Sequence, residues 1–140
     1  MASWHERLTQ TLTALCDAAA DLTASATAQH DAMRSADPQA LDAANRRHAE
    51  ALHAIATLEH ERVAAVREGI NASPRLRTMD LRGATPTLEQ LTASLSPTER
   101  TPLLEVAARL RESLKEARQQ QTSVCEAAGR LDQHMQGITH

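Results

Sequence analysis

Positions 103–138 constrain this chain more than any other stretch. Read at alternating spacings of four and three they give Leu103, Ala107, Leu110, Leu114, Ala117, Gln121, Val124, Ala128, Leu131, Met135 and Ile138. Ten of these eleven residues are apolar, a pattern that marks a coiled-coil-like seam on one face of a helix. Charged and amide side chains (Glu105, Arg109, Arg111, Glu112, Lys115, Glu116, Arg118, Gln119 and Gln120) fill the spaces between. At ~1.5 Å per residue the helix is roughly 54 Å long. A rod of that length with a narrow apolar stripe needs partner helices along its length to be stable in water.

Composition sharpens this. The chain has 140 residues, one Trp and no Phe or Tyr. That excludes an aromatic-rich β core and leaves Leu packed against Ala, which favours close helices in one domain spanning residues 1–140. The net charge is −3 with acids and bases interspersed, and no basic patch is dense enough for nucleic acid. No apolar run reaches the ~18 residues that a membrane span needs. The opening Met-Ala-Ser-Trp-His-Glu-Arg lacks the order of a signal peptide, so the expected compartment is the cytoplasm. Cys16 and Cys125 fall on different helices and read as half-buried free thiols. No metal or other cofactor is expected: Glu50 and His53 form one Glu-x-x-His, but a di-iron bundle needs two copies and the last helix offers none. No phosphate loop and no nucleophile beside a base suggest an enzyme.

Ser3 and Glu6 have capping-box spacing, so a first helix is expected over residues 4–35, with the stripe Leu8, Leu12, Leu15, Ala19, Leu22, Ala26. Trp4 is placed to cover the bundle end. The stripe weakens where position 29 is Gln. Asp37-Pro38 reads as an N-cap with proline at the first helical position, so a second helix over 38–71 folds back on the first. Its arc holds Leu41, Ala44, Leu52, Ile55, Leu58, Val63, Val66 and Ile70, with His48, Glu59 and Arg62 inside it. These three and Gln121 are the expected polar core, His48 as a hydrogen-bonded histidine and Glu59 with Arg62 as a pair three residues apart.

Residues 72–101 differ in kind. Pro74, Gly83, Pro86 and Pro97, with Arg75, Arg77 and Arg82 in the early part, mark a connector with few apolar anchors. It is expected to be the least tightly packed part of the chain. Inside it Thr87 and Gln90 make a second capping box, opening a short helix over 87–95. Ser96-Pro97-Thr98-Glu99 looks like another helical start, but Pro102 removes the backbone bond to Thr98. The last helix is therefore expected over 102–138, capped by Thr101. The sum is an all-α fold: an elongated antiparallel bundle of three long helices with coiled-coil-like seams, plus the short helix.

Several stretches resemble the FlgN family of flagellar type III export chaperones. Leu58-Glu59-His60-Glu61-Arg62 is similar to the family's Leu-Glu-x-x-Arg element before a glycine-containing helix end, here Arg67-Glu68-Gly69-Ile70. Thr87-Leu88-Glu89-Gln90-Leu91 and Leu95-Ser96-Pro97 resemble its short threonine-leucine helix, and Leu103-Leu104-Glu105-Val106-Ala107-Ala108-Arg109-Leu110 continues into its last long helix. Two asparagines often found in that helix correspond to Arg118 and Gln121. The resemblance implies a non-catalytic binding protein whose partners are hook–filament junction proteins and components of the export gate. It implies that the chain holds their amphipathic helical ends, prevents premature assembly and delivers them for export.

Cargo is expected on the C-terminal half of the last helix, at Val124, Ala128, Leu131, Met135 and Ile138, because this stripe continues after that of the first helix has failed. Met135 suits a surface that accepts varied side chains. Such a face is hidden most easily by self-association, so a homo-oligomer that competes with cargo is expected. If every seam is satisfied internally, the chain is instead a structural coiled-coil or adaptor protein unrelated to motility.

Overall fold

A computed structural model describes residues 3–78 and 86–139, the last nine as backbone only. All its elements are helices, and no strand occurs among the described residues. They are α1 (Trp4–Arg34), α2 (Pro38–Ala72), α3 (Pro74–Thr78), α4 (Leu88–Thr92) and α5 (Pro97–Thr139).

Local chemistry sets the boundaries. Ser3 Oγ accepts the Glu6 amide at the start of α1. At its end Ala36 takes a left-handed conformation with φ 50°, and the Asp37 amide reaches back to the Ala32 carbonyl at 3.0 Å. Asp37 then caps α2 by accepting the Ala40 amide at 3.1 Å, with Pro38 at the first turn. The chain thus reverses over residues 35–37, and α2 lies antiparallel on α1: Arg7 pairs with Glu68, Ser25 with His48 and Gln29 with Asn45.

The third long helix, α5, runs parallel to α1 and departs from the expected bundle in its packing. His5 Nε2 meets Glu99 Oε2 at 2.9 Å, the Cys16 thiol approaches the Val106 carbonyl at 3.8 Å, and Thr27 Oγ1 approaches Gln120 Oε1 at 3.5 Å. α2 has already returned the chain to the N-terminal end of α1, where Glu68 meets Arg7, and α5 starts from that same end beside His5. α1 packs along both α2 and α5, while α2 and α5 barely approach each other. The first helix is the shared partner, and side chains of all three long helices meet in one core only around the connector end.

The start of α5 is also earlier than Pro102. Ser96 and Glu99 close a reciprocal cap: the Glu99 amide donates to Ser96 Oγ at 3.3 Å, and the Ser96 amide donates to Glu99 Oε1 at 3.0 Å. Pro102 then lies inside the helix. Thr98 and Pro102 are exposed, so water can take the Thr98 carbonyl that proline leaves without a donor. Thr101 Oγ1 donates to the Pro97 carbonyl at 2.8 Å; Thr101 therefore sits within the first turns rather than capping them.

The described parts of the connector, residues 72–78 and 86–101, are better anchored than their composition suggests. Leu76 of α3, Leu91 and Thr92 of α4, and Pro86 are buried, and Leu88 and Leu95 pack on the same core. The Thr87 and Gln90 capping box forms with both bonds. Arg82 and Gly83 lie outside the described residues. The resulting core is uneven. Around the connector it joins Leu8, Leu12 and Leu15 to Val66, Leu76, Leu91, Leu103 and Val106. Toward the α1–α2 turn the buried residues are small: Ala19, Ala26, Ala32, Ala44, Ala51 and Ala117, with Val124.

Candidate cargo-binding surface

The polar residues expected in the core separate into three situations. His48 is half-buried and its Nδ1 lies 3.2 Å from Ser25 Oγ, a fully buried hydroxyl that also donates to the Leu22 carbonyl. Glu59 and Arg62 do pair, with Arg62 Nε 2.9 and 3.0 Å from the two carboxylate oxygens. Glu59 is exposed, however, so the pair sits on the surface of α2 rather than in the core. The Arg62 hydrogen bond holds the Glu59 carboxyl below its ordinary value, against the opposing effect of burial. Gln121 is half-buried, and its Nε2 lies 3.9 Å from Cys125 Sγ one turn along the same helix.

The polar contact that residue reading missed is Gln29 with Asn45. Gln29 Nε2 donates to Asn45 Oδ1 at 2.8 Å, while Gln29 Oε1 is buried with no partner. The break of the α1 stripe at position 29 was the available signal; its partner on α2 was not, because Asn45 sits on an exposed stretch. Together with Ser25 and His48 it makes a polar layer where the leucine core has ended.

This end of the molecule is also where the expected cargo residues fall. The contacts of α1 with α5 pair residues about 93 apart in sequence, so Arg34, the last residue of α1, is level with residue 127 or so. Residues 128–139 of α5 then run past the α1–α2 turn, about 18 Å of helix at ~1.5 Å per residue. Val124, before that point, is buried; Ala128 is exposed; a side chain added at Gly129 would meet nothing within 4 Å. Leu131, Met135 and Ile138 are carried by this same stretch, and their side chains lie outside the described residues.

Cys16 is buried, Cys125 is exposed, and both are free. Burial pushes the Cys16 thiol up. Among the described residues no group of His, Cys, Asp and Glu is arranged to hold a metal ion, and no helix is long and apolar enough to cross a membrane. What the described residues offer is helix surface. A family model described as FlgN protein matches residues 1–136. The chain belongs to the FlgN family. That is a chaperone family serving flagellar export, not an enzyme family. No curated protein and no solved structure matches the chain. The FlgN match runs from the first residue of the chain through α3 and α4 and along α5 to residue 136, so it takes in the connector helices and all but the last three residues of the overhanging part of α5.

Proposed function

We propose that this FlgN-family chain acts in the bacterial cytoplasm as a chaperone of type III flagellar export. It holds the amphipathic helical ends of hook–filament junction proteins, prevents their premature assembly and delivers them to components of the export gate. The observation that carries this reading is the run of α5 past the end of the α1–α2 hairpin. A helix that keeps a 3-4 apolar stripe after its neighbours have ended supplies one half of a coiled-coil seam, and an amphipathic cargo helix supplies the other. Val124, Ala128, Leu131, Met135 and Ile138 are the contact residues of this reading. Val124 is buried at the point where the stripe leaves α1. In the free protein two copies cover each other's stripe, so the chain self-associates at high concentration and cargo competes with that association.

The test is a double substitution, Leu131→Asp with Met135→Asp, assayed by calorimetry against the C-terminal helical fragment of a junction protein. Circular dichroism should show a folded helical protein and binding should fall by at least about tenfold, each charge placing an unpaired group in an apolar contact. A folded variant that binds at wild-type strength contradicts this assignment.

A further inference from the structure

A second surface lies at the middle of the molecule, away from the terminal stripe and independent of its role. The two helix registers put Leu22 of α1, Leu52 of α2 and Leu114 of α5 at one level. Nearer the connector the corresponding leucines, Leu8, Leu12 and Leu15, are buried. Here none is: Leu22 and Leu114 are half-buried and Leu52 is 48% exposed. The cause is the spacing of α2 from α5, which leaves the face of α1 between them incompletely covered. One turn nearer the connector, half-buried Ile55 and Leu110 continue the same trough. Val63, 41% exposed, extends its α2 lip on the same side as Leu52, since eleven residues return a helix to within about 20°.

Both walls rise on the same side of α1. Arg7, Gln10 and Ala14 of α1 meet Glu61 and Ala64 of α2 on the back of that helix pair. His5 and Thr9 meet Thr98, Glu99 and Pro102 on the back of the other. The opposite flanks, carrying Leu52 on α2 and Leu110 with Leu114 on α5, therefore look toward each other across α1.

The charge on this trough is one-sided. Arg111 and Arg118 are exposed on its α5 lip, and neither makes an ion pair with any described residue. The acids of the same stretch, Glu105, Glu112 and Glu116, are rotated from these arginines by at least about 100° around the helix. On the α2 lip the only acid near the trough, Glu59, is already held by Arg62. The geometry points to a docking groove for one kind of occupant: an amphipathic helix of a partner protein whose apolar face is flanked by acidic residues. The leucines supply the apolar floor and walls, and Arg111 and Arg118 select the flanking charge.

The probe is a synthetic helix of roughly 18 residues, long enough to span the trough, with leucines at 3-4 spacing flanked by Glu. A second peptide carries Lys in place of Glu. Binding is followed by fluorescence anisotropy on the full chain carrying Leu131→Asp with Met135→Asp, so that the terminal stripe does not compete for the peptide. The Glu peptide should bind at least about tenfold tighter than the Lys peptide, with affinity falling as salt rises. Leu52→Asp should abolish binding, and Arg111→Glu with Arg118→Glu should reverse the preference. All three residues are exposed, so the variants keep their helicity; should Leu52→Asp lose it, the arginine pair decides alone. Equal binding of both peptides, or no binding, overturns the proposal. So does sedimentation showing a dimer that Leu52→Asp dissolves, because the occupant is then a second copy.

Discussion

Gly69 shows how closely the connector end is fitted. It is buried in the last turns of α2, where glycine ordinarily weakens a helix. A β-carbon there would lie 2.8 Å from Trp4 Cε3 and 3.0 Å from Leu91 Cδ1. The missing side chain lets the indole lie against the α2 backbone with α4 beside it, which gives Trp4 its place over the end of the bundle. Its ring also meets the His5 ring edge-on at a centroid distance of 5.8 Å. Gly69→Ala gains helix propensity but forces a large ring to move, and the second effect dominates. We expect a loss of about 1–3 kcal/mol in denaturant unfolding. Near-neutral stability contradicts this packing.

At the scale of elements, the start of α5 depends on Ser96 and Glu99. The amide and hydroxyl of Ser96 hold the Glu99 carboxyl below its ordinary value, and His5 adds to the effect. A carboxyl depressed in the folded state stabilises fully above the unfolded glutamate value of about 4.3 and loses that contribution as pH falls through its lower folded value. Glu99→Gln should therefore be less stable than wild type at pH 7. The difference should shrink below about pH 4 and vanish in stronger acid; a difference independent of pH contradicts the charged cap. Ser96→Ala should cost about 1 kcal/mol at neutral pH. The elements themselves were largely legible in the sequence, because stripes, Asp37-Pro38 and the Thr87 box are local signals. The path through Pro102 was not. Its cost is offset by a cap six residues earlier and by solvent at Thr98, and sequence spacing weighs neither. Leu76 was similarly hidden, because a single leucine among prolines and arginines shows no period.

At the scale of the molecule, apolar stripes showed that long helices must pair but not which helix would be shared. Ala and Leu on one stripe look alike in periodicity, yet small residues allow close approach where leucines hold helices apart. The same contrast divides α1 into a leucine-packed half and an alanine and polar half, the latter with the unpartnered Gln29 Oε1. Less apolar area is buried there, so local opening costs less. Amides of α1 after Leu22 should exchange markedly faster than those between Leu8 and Cys16. Uniform protection along α1 contradicts the division. The placement of α5 past α1 was legible in part, since the stripe outlasts its partner in the sequence; that α2 and α5 stay apart on either side of α1 was not.

The direct measurement of the central claim is hydrogen exchange on the full chain, alone and with a junction-protein C-terminal fragment. The account predicts new protection concentrated in residues 124–139 of α5, with the leucine core around Leu8 and Leu103 unchanged. Cargo bound at saturation while residues 124–139 exchange as fast as in the free protein contradicts it.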